Sequence, residues 1–62
     1  MSEFKLRKAF LDAYISKRTC VVECEDENEE GVKEMLKGFA DEFELVVEFG
    51  KRKGKFVFRV RQ

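Results

Sequence analysis

Two runs of strict alternation close the chain, and they constrain it more than any other feature. Phe43, Leu45, Val47 and Phe49 fall on one face of the first, and Phe56, Phe58 and Val60 on one face of the second. The segment "GKRKG" lies between them. Two such runs form an antiparallel hairpin whose apolar faces coincide, so its register can change only in steps of two residues. One permitted register pairs Phe49 with Gly54 and leaves Gly50-Lys51-Arg52-Lys53 as a four-residue loop. It sets Glu48 opposite Lys55, Val46 opposite Val57, Glu44 opposite Arg59 and Glu42 opposite Arg61. Cross-strand pairs of opposite charge contribute roughly 0.2–1 kcal/mol each, enough together to select that register. Lys55, Arg59 and Arg61 then have partners within the chain, while Lys51, Arg52 and Lys53 stand unpaired at the tip.

Upstream, the periodicity reads helix, strand, helix. The first helix runs from about Glu3 to Lys17, with Ser2 as its cap. Leu6, Ala9, Phe10, Ala13 and Tyr14 share one of its faces, and Phe4, Leu11 and Ile15 another. A single sheet covers only one of them. Thr19 to Glu25 alternates, with Cys20, Val22 and Cys24 on one side and Thr19, Val21, Glu23 and Glu25 on the other. The second helix starts in "DENEE", where Asp26 and Glu29 have capping-box spacing, and carries the stripe Val32, Met35, Leu36 and Phe39. Gly38 is the point where it frays.

This order predicts one α+β domain over residues 1–62: a two-layer αβαββ sandwich, a three-stranded sheet with two helices on one face. Its core is Leu6, Phe10, Tyr14, Val22, Val32, Leu36, Phe39, Leu45, Val47, Phe56, Phe58 and Val60. A chain of 62 residues is near the lower limit for folding without disulfides, metal or partner. No apolar run is long enough to cross a membrane and no signal-peptide core is seen, so a soluble cytoplasmic protein is expected.

Charge is abundant and segregated. Asp, Glu, Lys and Arg make up 42% of the chain, with no His or Trp, a balance of the kind found in thermophile proteins. Residues 1–18 carry a net +3, residues 19–48 a net −9 and residues 49–62 a net +6. A basic surface facing an acidic partner, or pairing between faces of the molecule, follows from such a division.

The residues supply little for catalysis. Without His, the commonest general base and metal ligand are missing, and neither a Gly-rich phosphate loop nor zinc-type Cys spacing occurs. The carboxylates from Glu25 to Glu30 read as a solvated helix N-terminus and lack the ligand pattern of a calcium loop. Cys20 and Cys24, four residues apart on one strand, have Cα atoms about 13 Å apart, too far for a disulfide. Both face the core as small hydrophobes. No catalytic residue, metal or cofactor is therefore assigned, and the chain is read as a non-enzyme. Two surfaces remain. The tip Lys51-Arg52-Lys53 is a candidate nucleic-acid contact, although the aromatics that stack on bases all lie elsewhere. Phe4, Leu11 and Ile15, with Val21 on the first strand, form a candidate interface for a second copy or a protein partner.

The element order, the acidic turn "ECEDENEEG" and the closing strand "KFVFRVR" resemble the small sulfur-carrier family typified by TusA and SirA, a βαβαββ two-layer fold. The resemblance spans nearly the whole chain as pattern. The family's first strand and its Cys-Pro-x-Pro motif have no counterpart, since the chain has no proline, and neither cysteine sits at the motif's place. The resemblance thus implies topology alone: the third strand between the first and second, and the "TCVVECE" strand as an open edge. The resulting expectation is a small binding or assembly module acting through self-association or a protein partner. A nucleic-acid-binding protein and a degenerate sulfur-carrier-like protein are the alternatives.

Overall fold

A computed structural model describes residues 3–62; the Ser2 cap lies outside them. Helix α1 (Glu3–Ser16) leads to strand β1 (Cys20–Val22), a 3-10 turn (Asp26–Asn28), helix α2 (Glu29–Phe43) and strands β2 (Val46–Arg52) and β3 (Lys55–Arg61). The sheet is antiparallel with order β1-β3-β2. Both helices pack on one of its faces, α1 chiefly over β3 and β1 and α2 over β2. The predicted two-layer α+β class is the class observed. Leu6, Phe10, Leu36 and Phe58 are the largest fully buried side chains. Burying each is worth about 1.5–3 kcal/mol. Tyr14, Leu45 and Val47 pack at the margin of the core, and Ala13 and Ala40 join its centre.

Helix α2 differs from the sequence reading at both ends. It begins at Glu29, after the 3-10 turn, in which the Asn28 N–H donates to the Glu25 carbonyl at 2.9 Å. No side chain caps either element, so the Asp26–Glu29 capping box does not form. At the other end α2 passes through Gly38 to Phe43, a residue assigned above to the strand. Phe43 satisfies two periods at once: it alternates with Leu45, and it lies four residues after Phe39. Tertiary packing decides between them. Phe10 of α1 meets Phe39 edge-on at 5.8 Å and stacks on Phe43 at 6.1 Å.

Glu44 then stops the helix in the left-handed conformation (φ 57°, ψ 43°). Its N–H and that of Leu45 both return to the Ala40 carbonyl, the latter at 2.8 Å. This is the arrangement in which glycine is usual, because a side chain there costs roughly 1–2 kcal/mol.

The hairpin register is also corrected. Phe49 pairs with Phe58, Glu48 with Arg59, Val46 with Arg61 and Arg52 with Lys55, leaving a two-residue turn. Lys53 (φ 53°) and Gly54 (φ 77°) both take positive φ. That is the type I′ form, whose twist matches the flanking strands. The face parity survives, since the partner of each residue moves by four positions. The expected ladder of charge pairs does not survive. Glu42 belongs to α2 and Glu44 caps it, so neither can pair across the hairpin. Glu42 instead meets Arg7 at 2.7 Å, Arg61 reaches Glu48 diagonally at 3.2 Å, and Lys55 reaches Glu23 beyond β1 at 3.6 Å. Arg52 and Lys55, directly opposite, repel.

Strand β1 is shorter than its alternation suggests, because the chain turns at Glu25 into the 3-10 segment. It forms one open edge of the sheet and β2 forms the other.

These backbone assignments carry opposite consequences at two positions. Glu44→Gly should raise unfolding stability by about 1 kcal/mol by relieving the left-handed strain. Gly54→Ala should lower it by about as much. Urea denaturation of the two variants checks both signs, and a stabilising Gly54→Ala would contradict the type I′ turn.

Candidate interaction surfaces

Strand alternation and helix phase sort the candidate residues into three places. On α1, Leu6, Phe10 and Ala13 are buried, while Phe4 and Ile15 are 78% and 75% exposed. At 100° per residue, Phe4 and Ile15 lie on the side of the helix away from the sheet. Leu11, on the same stripe, is half-buried and packs against the core. Val21 belongs elsewhere. Its neighbours Cys20 and Val22 point toward the helices, so Val21 stands on the opposite, uncovered face of the sheet, where it is 48% exposed. The four predicted interface residues therefore do not form one surface.

The basic tip divides in the same way. Lys51 shares the helix-facing side of β2 with Phe49. Its Nζ reaches Glu29 Oε1 at 3.0 Å, at the start of α2. That hydrogen bond and the charge of Glu29 raise the Lys51 pKa above its ordinary value. Lys51 is thus a clasp between hairpin and helix, and it is not at the tip. Arg52 faces outward beside the turn and Lys53 occupies the turn itself. Neither makes an ion pair among the described residues.

The uncovered face gathers more charge than the tip alone. Lys55, Arg59 and Arg61 alternate along the central strand β3, with Arg52 and Glu48 beside them on β2. Arg59 has no ion pair among the described residues. Val57 sits at the centre, 8% exposed, between Val21 and Gly50. The missing side chain at Gly50 leaves a shallow depression of about 200 Å³, with Thr19, Glu48, Arg52, Val57 and Arg59 at its walls. The signal for Arg59 and Arg61 was present in the parity of "KFVFRVR", which holds in any register allowed by the hairpin. Parity likewise puts Lys51 with Phe49.

Both cysteines are free and half-buried against the core. Burial, and to a lesser degree the carboxylate of Asp12, pushes the Cys20 thiol above its ordinary pKa. The thiolate is the nucleophile, so this setting holds Cys20 in its unreactive form at neutral pH. Among the described residues, no three His, Cys, Asp or Glu side chains converge as a metal site. No helix among them is long and apolar enough to cross a membrane.

Comparison with protein-family models, with curated proteins and with solved structures finds no match to this chain.

The Cys20 environment predicts a pH profile. Alkylation of native protein by iodoacetamide, followed residue by residue by mass spectrometry, should be slow at Cys20 at pH 7. It should rise with pH along a curve displaced to higher pH than that of the unfolded chain. A Cys20 that reacts as fast in the native protein at neutral pH as in the unfolded chain contradicts the assignment.

Proposed function

We propose that the chain is a non-enzymatic assembly module that associates with a second copy of itself through the outer face of α1. The carrying observation is the exposure of Phe4 and Ile15, on a helix whose opposite side already supplies the core. Burying two such side chains removes apolar area that the monomer leaves in water, at about 25 cal/mol per Å². A self-complementary contact between two α1 helices places the same stripe on both sides of a twofold axis.

The size of the helix bounds the strength of the contact. Its 14 residues span about 21 Å, and a stable interface takes about 800 Å² from each partner. The stripe alone falls short of that area, so the contact extends over Arg7 toward Phe43, which is 37% exposed at the end of α2. Association of moderate strength follows. The open edge of β1 is a weaker candidate: three residues long, it is followed by Glu23 and Glu25, charges that discourage edge pairing.

A sulfur-carrier-like role would need a reactive thiol, and the raised pKa of Cys20 works against it.

Sedimentation equilibrium tests the proposal. The protein should show a monomer–dimer equilibrium, and Ile15→Glu should shift it to monomer while its circular dichroism and urea transition stay unchanged. Ile15 serves better here than Leu11, whose contacts with the core would confound the result. A protein that stays monomeric at all accessible concentrations, or a dimer that Ile15→Glu leaves intact, would sink the idea.

A further inference from the structure

The sheet face turned away from the helices has a chemistry that assembly through α1 does not use. Its cations are Arg52, Lys53, Lys55, Arg59 and Arg61, and its carboxylates are Glu23 and Glu48. Lys55 and Arg61 engage those two carboxylates, which leaves Arg52, Lys53 and Arg59 with no ion pair among the described residues. The excess of positive charge is therefore concentrated on one open surface. Side chains on one strand face recur about every 6.6 Å, so β3 presents Lys55, Arg59 and Arg61 in one row interrupted by Val57.

Most of the acidic block lies off this face, although its turn adjoins the hairpin, where Glu25 and Asp26 line one hollow with Gly54 and Lys55. Glu25, Asp26 and Glu27 lie in the turn ahead of α2, and most of the remaining carboxylates follow along that helix and its cap. The molecule is electrically neutral in total, and the excess of cations over carboxylates on this face attracts a polyanion to it.

The face also lacks something. Phe49, Phe56 and Phe58 all point to the helix side, and its apolar residues are Val21, Val46 and Val57. Unpaired bases bind sheets by stacking on aromatic rings, and no ring is available here. A duplex needs no stacking platform, and it presents one phosphate charge per about 1.7 Å of its axis.

We propose that this sheet face binds the phosphate backbone of double-stranded nucleic acid, with Arg52, Lys53 and Arg59 as the principal contacts and without reading sequence. Arg52 and Arg59 border the depression over Gly50, whose wall also carries the Glu48 carboxylate, so the two guanidiniums meet a phosphate at its rim.

The test is fluorescence anisotropy with a labelled DNA duplex and each of its single strands, over a range of salt. Duplex binding should exceed single-strand binding and be indifferent to sequence. The slope of log K against log salt should be about −3, for three cations each displacing a counterion. Arg52→Gln and Arg59→Gln should each reduce that slope by about 1. Lys37→Gln, which removes a charge from the exposed side of α2, should leave it unchanged. Circular dichroism of the variants confirms that each is folded. Absence of binding at low salt overturns the proposal, as does tighter binding to single strands or a slope insensitive to Arg52→Gln and Arg59→Gln. Self-association that those two variants abolish, without duplex binding, would assign the face to the acidic side of a second copy and overturn it equally.

Discussion

The stacking of Phe43 on Phe10 is the contact from which the rest of the structure follows. It keeps the chain helical past the point where alternation could begin. Arg7 reinforces it: the guanidinium lies 5.6 Å from the Phe39 ring centroid and 5.3 Å from that of Phe43, and it meets Glu42 at 2.7 Å. A cation over two rings with a carboxylate at its edge joins charge pairing to apolar packing at one point. Since α2 ends at Phe43, Glu44 must cap it and β2 must start at Val46. The hairpin then closes over Lys53-Gly54. Strand parity turns Lys51 inward to Glu29, and the register places Glu48 opposite Arg59. The aromatic contact between the helices thus sets where α2 gives way to the hairpin, and the turn with the Phe49–Phe58 facing sets the register within it.

The layered class was legible in the sequence because the periods can be read: 3.6 cleanly in Val32–Leu36–Phe39 and, beside a second apolar stripe, in Leu6–Phe10–Ala13, and two in β2 and β3. The last strand lies at the centre of the sheet. What escaped were the boundaries. Phe43 fits both periods, and only its contact with Phe10, 33 positions earlier in the chain, breaks the tie. The register escaped because opposite charges were counted across strands, where each pair is worth tenths of a kcal/mol. A type I′ turn and the facing of Phe49 with Phe58 outweigh them. The turn lacked its usual Asn-Gly form, and Lys53 in a left-handed conformation leaves no compositional trace.

Site residues divided along the same line. Phe4 and Ile15 were legible as surplus on α1, because helix phase is robust to an error of a residue or two at the ends. Grouping Val21 with them failed: a strand residue and a helix residue of similar exposure can stand on opposite sides of a two-layer domain. Lys51 was misplaced because the charge-matched register left it in a four-residue loop, whereas its parity with Phe49 pointed toward the helix layer. The parts of the surface that parity governs, Arg59 and Arg61 with Arg52, could be read before any register was known.

The tight turn at Lys53-Gly54 also bears on how the chain acquires its fold. Strands β2 and β3 are joined by two residues and can pair at little cost in chain entropy. Strand β1 must find β3 across an intervening helix, with Cys20 meeting Phe58. Closing that loop is the larger entropic step, and only three residues of strand reward it. The hairpin under α2 is thus the part of the sheet that closes at least entropic cost, with β1 its lightly held addition. Opening of β1 from the native state should then be the least costly excursion of the sheet, and it would bare the unpaired backbone of β3, the strand that carries the basic row.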